Sequence, residues 1–351
     1  MLLAFSAGLL GAFLFLSFKQ SILNKVSLLR YGLLLFSLGC GLFCLAGQSD
    51  TLNYFILVFM ITGLGATCGM IESLVNVLLL DWHPHQKILI SNWGQAFFAL
   101  GAILGPPLSG ILKSGMNWGM IFGAISLAAL ALWSGYRGRM HGKTQAPPPR
   151  IVQNLFKTLR SPSHPLRLLL KDSFYCFLCI AMILYVGVEV GWSFWVGEYL
   201  ETERMNLKNM ASGVLSLFWL TIMAGRYAFP FLAKKYSVKG LLVFSGLLSL
   251  SALLPLWIGT SAAALVWGTA LWGLGLSAMF GTIVALAAER FPEQQTLAVN
   301  ILLICLSLGG FGLPPLIGIL ARSPFLSLGT SIAAVCGFSM LIITWIFYRK
   351  L

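Results

Sequence analysis

Charge is what this chain has least of. Asp, Glu, Lys and Arg make up 9% of its 351 residues, and only ten residues are acidic. Combined with a hydrophobic content of 58%, that scarcity excludes an ordinary soluble domain. The sequence has no glycine-rich phosphate loop followed by its lysine, so nothing in it would drive work with ATP. It has no nucleophile motif either. Alternating strands of about ten residues, which would mark an outer-membrane barrel, do not occur. Only four histidines are present. His83-Pro84-His85 has just Asp81 beside it and is taken as a loop turn rather than a metal site. The seven cysteines sit mostly in apolar runs. Cys176 and Cys179 have redox spacing, but their apolar neighbours suit packed thiols better. No metal or cofactor is expected.

What the chain does have is long apolar runs. A helix needs about 20 apolar residues to cross a bilayer core. Eleven segments qualify: roughly 1–18, 29–47, 53–80, 88–112, 118–136, 173–197, 210–232, 240–258, 262–288, 296–320 and 326–347. Backbone groups in lipid must bond within their own segment, so the expected fold class is an all-α polytopic membrane protein.

The net charge of +13 would suit nucleic acid if it were clustered on one domain. Instead, eighteen of the 23 Lys and Arg fall in alternate loops on one side, four on the other, and Arg226 lies within a helix. The positive-inside rule then puts the C-terminus in the cytoplasm and Met1 outside, in a plasma or bacterial inner membrane. A basic start and a cleavage site are both lacking at the first segment, so it does not resemble a signal peptide. Expected partners are a small solute, protons and membrane lipids, with no nucleic acid. A monomer is expected.

The sequence also repeats itself at an offset of 208 residues. Gly32-Leu33-Leu34-Leu35-Phe36-Ser37 falls on Gly240-Leu241-Leu242-Val243-Phe244-Ser245, and Pro106-Pro107-Leu108 falls on Pro314-Pro315-Leu316. Gly63-Leu64-Gly65 meets Gly273-Leu274-Gly275 with a slip of two. Parallel halves in a membrane protein suggest a transporter built from two bundles. Five helices (residues 1–138) precede a basic, proline-bearing linker (139–171), and six helices (172–351) follow it. That linker suits attraction to anionic headgroups. Met1 corresponds to Asn209, after a full helix of the second half. A counterpart of that helix is therefore expected to be missing from the first half, either because the chain starts inside a longer frame or because eleven is the true number.

Ionisable groups within the bilayer are costly and are functional candidates by default. Three stand out: Glu72, Glu189 and Arg226. Gly65, Gly69, Glu72 and Asn76 share one helical face, which suits a polar cavity. Glu72 and Glu189 are the candidate proton-coupling groups, since low dielectric disfavours a charged carboxylate. Asn92 and Gln95 share the next face, and paired amides suit sugar hydroxyls. Asn300 corresponds to Asn92 in the repeat, so all three amides, with Asn76, are candidate solute contacts. Trp192 and Trp195 offer an aromatic wall, while Tyr199 reads as an interface anchor. Glu189 is close enough to the helix end to reach the outer headgroups. Arg226 is expected to snorkel toward the cytoplasmic end in a structural role. Small residues (Gly65 and Gly69; Gly101 and Gly105; Gly309, Gly310 and Gly312) suit close helix packing. Pro106-Pro107 and Pro314-Pro315 are expected to interrupt matching helices, as gates or as early ends.

Gly69-x-x-Glu72-x-x-x-Asn76, Asn92-x-x-Gln95, Gly101-x-x-x-Gly105-Pro106, Gly187-x-Glu189 with Trp195 and Tyr199, Phe218-Trp219 and Gly225-Arg226 together resemble the major facilitator superfamily. The finer resemblance is to its fucose and glucose permease branch, with related vertebrate and fungal carriers. The resemblance implies proton-coupled sugar uptake by alternating access, with the family's fourth-helix carboxylate at Glu72 and its fifth-helix polar contacts at Asn92 and Gln95. The acidic-basic loop signature is degraded here to Lys19-Gln20-Ser21-Ile22-Leu23-Asn24-Lys25. Loss of one cavity-lining helix leaves a second reading open: a truncated or non-transporting protein, a remnant or a membrane sensor on the same scaffold. A polytopic enzyme such as a lipid transferase would need a clustered His, Asp or Glu set, which only Asp81, His83 and His85 offer.

Overall fold

The computed structural model describes residues 2–19, 24–47, 53–113, 118–135, 165–322 and 325–351. Regular structure in these residues is entirely helical. The helices are α1 (Leu2–Lys19), α2 (Lys25–Ala46), α3 (Tyr54–Trp82), α4 (Lys87–Lys113), α5 (Trp118–Gly135), α6 (Pro165–Lys171), α7 (Ser173–Thr202), α8 (Ala211–Lys235), α9 (Val238–Trp257), α10 (Ala262–Ser277), α11 (Met279–Arg290), α12 (Gln295–Ala321) and α13 (Leu328–Lys350), with a 3-10 turn at Met205–Met210. Among the described residues, nine helical stretches are long and apolar enough to cross a membrane, and Ala4–Ser17 and Gly119–Gly135 are shorter apolar helices. Each of the eleven expected segments is helical, one of them in two pieces, because an apolar run in lipid has no other way to satisfy its backbone. Most of the expected linker, residues 139–164, lies outside the described residues, and its last part forms α6.

Side-chain caps start several helices. Asn24 accepts from Val26 N and Ser27 N, Ser237 from Gly240 N, and Ser261 from Ala264 N. Each satisfies an amide that the first turn leaves open. Two features depart from expectation. The span expected over 262–288 is broken at Ala278 into α10 and α11. Conversely, α12 runs on through Pro314 and Pro315, and α4 runs through Pro106 and Pro107. The proline pairs are therefore neither interruptions nor early ends of these helices.

Contacts divide the chain into two units. The first comprises Met1–Trp82, Leu108–Asp172 and Phe291–Ile304; the second comprises His83–Pro107, Ser173–Arg290 and Cys305–Leu351. Most of α4 therefore packs with helices of the second half, and the start of α12 packs with helices of the first.

In the first unit, Leu16, Leu29, Leu74 and Leu78 form the core of α1, α2 and α3. Gly65 lies so close to α1 that a Cβ there would meet the Phe5 carbonyl oxygen at 1.9 Å, and one on Gly69 would meet Leu9 O at 3.0 Å. The glycine strip is thus the α1 contact, where small residues replace hydrophobic drive with close packing. It does not line a cavity. Ser37 and Ser126 join α2 and α5 by donating reciprocally to each other's carbonyl oxygens, at 2.9 and 2.7 Å.

In the second unit, α11 is almost wholly enclosed, and α7 buries Tyr175, Leu178, Met182, Tyr185 and Val188. A Cβ on Gly309 would lie 2.1 Å from Ile183 O, so α12 touches α7 backbone to backbone. Gly101, Gly105 and Gly312 have nothing within 4 Å of a Cβ and make no such contact.

Candidate functional site

The densest polar cluster lies in the second unit, inside spans. Tyr185 and Glu189 stand one turn apart on α7, which puts them on one face. Arg226 comes from α8, where Gly225 allows an approach that would place a Cβ 2.1 Å from Ser277 Oγ of α10. Arg226 is 1% exposed and Glu189 7% exposed. Arg226 Nη2 donates to Tyr185 Oη at 3.0 Å and lies 3.5 Å from Glu189 Oε2. Tyr185 Oη in turn donates to Glu189 Oε2. Arg226 Nη1 donates to the Gln95 carbonyl oxygen of α4 at 2.8 Å, and its Nε has no partner among the described residues. The result is a relay from cation through phenol to carboxylate.

This placement corrects two expectations. Arg226 does not snorkel to a helix end, because a carboxylate, a phenol and a carbonyl satisfy it in place. Glu189 does not reach outward, because Tyr185 and Arg226 hold it inside. Tyr185 was missed because a tyrosine in an apolar run reads as packing; its spacing of one turn from Glu189 was the available signal.

Asn92 is fully buried. Its Nδ2 donates to Ile88 O at 2.9 Å and lies 3.5 Å from Thr282 Oγ1 of α11, while Oδ1 has no partner among the described residues. Gly281 makes room for it, since a Cβ there would sit 2.8 Å from Asn92 N. In the first unit, Asn300 is also fully buried and accepts from Ser73 Oγ of α3. The 208-residue offset carries Asn92 onto Asn300 and Ser73 onto Gly281. The offset also carries Lys87 onto Gln295: Lys87 Nζ donates to Ala288 O at 2.8 Å, and Gln295 Nε2 donates to Asp81 Oδ1 at 2.9 Å, one residue past the position that answers Ala288. Both amides thus sit at helix contacts that the repeat duplicates, which suits positioning of helices more than contact with a solute.

Trp192 and Trp195 do not form one wall. Trp192 is buried among Leu253, Leu256 and Trp257 of α9 and Gly329 and Ile332 of α13. Trp195 turns to α12, where its Nε1 donates to Pro314 O at 2.8 Å. Tyr199 is buried rather than an interface anchor: its hydroxyl takes a hydrogen bond from Arg204 Nε at 2.9 Å and donates to Leu256 O at 3.3 Å. Beside it, Glu203 accepts from Gly329 N and Ser327 Oγ at the start of α13, and Arg204 donates to Trp257 O and Gly259 O at the end of α9. An anion thus meets a helix N-terminus and a cation a helix C-terminus, each the favourable end.

Glu72 lies in the first unit on α3, half-buried, and its carboxylate has no hydrogen-bond or ion-pair partner among the described residues. Asn76 is buried and donates from Nδ2 to the Glu72 carbonyl oxygen at 2.9 Å. Asp81 joins α2 and α12 at the end of α3: it pairs with Lys25 Nζ at 2.7 Å, and Lys25 also donates to Thr296 Oγ1 at 3.2 Å. His83 and His85 are exposed in the turn after α3. No side chain is described for Pro106 or Pro107.

Comparison with known proteins gives consistent likenesses. The family model of the Major Facilitator Superfamily matches residues 1–249. Protein TsgA of Escherichia coli O17:K52:H18 is 24% identical over 316 residues, covering 87% of this chain and 73% of the relative. Protein TsgA of Shigella boydii serotype 18 gives the same figures. Among solved structures, a Major Facilitator Superfamily transporter, FucP, in the outward conformation aligns with a TM-score of 0.76 at 17% identity, over 99% of this chain and 88% of that one. A variant of the E. coli fucose:proton symporter FucP aligns at 0.70 and 16%, over 100% and 97%. The human organic anion transporter MFSD10 aligns at 0.71 and 16%, over 99% and 82%. At these identities the structures speak for the fold.

Proposed function

Because this chain belongs to the Major Facilitator Superfamily, whose model covers residues 1–249, we propose that it is a secondary carrier that couples uptake of a sugar-like small polar solute to protons by alternating access. The observation that carries this is the buried relay of Arg226, Tyr185 and Glu189 inside spans. Such groups are expensive in a bilayer, so a chain with ten acidic residues that keeps one there keeps it for use. Glu189 and Glu72 are the proton-linked carboxylates. Gln95 and Asn76 offer amides to the solute, whereas Asn92 and Asn300 hold helices in register. Trp195 and Pro314 tie α7 to α12 and so share the motion of that pair.

The alternating halves follow the sequence repeat, residues 1–138 and 172–351, joined by the basic segment 139–171. The carrier sits in a plasma or bacterial inner membrane with its C-terminus cytoplasmic, works as a monomer and leaves its solute chemically unchanged. The likeness in fold to a fucose:proton symporter supports trying L-fucose first.

The test is uptake of labelled L-fucose by proteoliposomes bearing the purified chain, with and without an inward proton gradient. Accumulation that collapses with a protonophore supports the proposal. Binding of the sugar without accumulation would replace it with a non-transporting sensor on the same scaffold.

A further inference from the structure

We propose that the solute is an organic anion whose carboxylate pairs with Arg226 once Glu189 has taken a proton; this rests on the proton-coupled carrier proposed above and puts a carboxylate-bearing solute in place of its neutral sugar. Arg226 has five N–H donors in a fixed fork. One nitrogen is committed to Gln95 O and another to Tyr185 and Glu189, while Nε, equally buried, has no partner among the described residues. Among the described residues, the one carboxylate within ion-pair distance of Arg226 is Glu189. Arg226 from α8 and Tyr185 from its own helix bond to Glu189, α4 brings the Gln95 carbonyl to Arg226, and the described residues of α11, α12 and α13 make no hydrogen bond or ion pair with the Glu189 carboxylate.

A transported proton that settles on a Glu189 oxygen therefore removes the counter-charge of a guanidinium that is 1% exposed. Removing one partner of a buried pair is strongly unfavourable because the other charge is left bare. A neutral sugar does nothing to relieve this. A carboxylate does, and its two oxygens match the guanidinium fork, including the idle Nε. Proton and anion then favour each other's binding by the same factor. The loaded site carries the same net charge as the empty one, so the proton and a monovalent anion cross together without net charge movement.

The probes are D-gluconate, its neutral amide D-gluconamide, and acetate as the smallest carboxylate. Binding is read by tryptophan fluorescence of the purified full chain at pH 6 and pH 8, where both acids stay ionised. Wild type is expected to bind gluconate more tightly at pH 6. Glu189→Gln, which mimics the protonated state, is expected to bind it equally at both pH values and roughly 5- to 150-fold more tightly than wild type at pH 8. Arg226→Gln is expected to lose binding. The double variant Glu189→Gln/Arg226→Gln, with no buried charge left, serves as the folded control.

Failure of both gluconate and acetate to bind Glu189→Gln overturns the inference. So does gluconate binding that survives Arg226→Gln, or gluconamide binding that follows gluconate. If the anions fail while proton-driven L-fucose accumulation succeeds, the anion site falls and the carrier stands. If the anions bind and proteoliposomes accumulate neither solute, the anion site stands and the carrier falls.

Discussion

Gly281 of α11 lies directly against Asn92 of α4, so that a Cβ at Gly281 would sit 2.8 Å from the asparagine's backbone nitrogen and Cα. Backbone atoms of a helix cannot step aside as a flexible side chain can. Gly281→Ala is therefore expected to destabilise the protein by about 1–3 kcal/mol, seen as a lower midpoint of thermal unfolding in detergent. Gly312→Ala, where a Cβ meets nothing within 4 Å, should stay within about 0.5 kcal/mol of wild type. Equal effects at the two sites would mean that the α4–α11 contact is looser than described.

Glu189 and Arg226 lend themselves to a double-mutant cycle. Each single change, Glu189→Gln or Arg226→Gln, leaves the other group buried without its partner, at a cost of about 3–5 kcal/mol. The double variant leaves two neutral groups that can still hydrogen-bond with Tyr185. It is expected to be more stable than either single variant in thermal unfolding followed by fluorescence. Additive losses would show that the two side chains do not sense each other.

The helices were legible in the sequence because the bilayer permits so few alternatives: every long apolar run became helical, one of them in two pieces. The break at Ala278 was not, since no proline or charge marks it. Glycine spacing was read correctly as close approach at Gly65, Gly69 and Gly309 but not at Gly101, Gly105 and Gly312; it also does not name the neighbour, and Gly65 and Gly69 face α1. Arg226 was misplaced by counting turns to the helix end, a measure blind to a carboxylate on the next helix. The repeat carried more than was drawn from it. The offset that joins Asn92 to Asn300 also joins Gly281 to Ser73, and each buried amide meets the residue so identified.

Glu203 offers a test at the far end of α7. Its carboxylate accepts from Gly329 N at 3.0 Å and from Ser327 Oγ at 2.9 Å. Ser327 itself caps α13 by accepting from Thr330 N. Glu203→Ala removes an anion from a helix N-terminus and leaves an amide of the first turn to water. A loss of about 1 kcal/mol is expected, again as a lowered unfolding midpoint. Because the charge sits at the exposed rim, added salt should shrink the difference between variant and wild type; a salt-independent difference would assign the effect to packing.

Glu72 has the opposite surroundings to Glu189. No described hydrogen bond or ion pair holds its carboxylate, and its neighbour Asn76 binds its backbone instead of its side chain. A carboxylate with no structural partner contributes little to the fold, so Glu72→Gln should unfold within about 0.5 kcal/mol of wild type. Its role in the proposal is to take and release a proton, which an amide cannot do. The variant is therefore expected to keep solute binding and exchange of labelled for unlabelled solute across proteoliposomes, while losing accumulation driven by a proton gradient. Loss of exchange together with accumulation would make Glu72 a solute contact. Retention of proton-driven accumulation would remove it from the coupling path and leave Glu189 as the carboxylate that carries the proton.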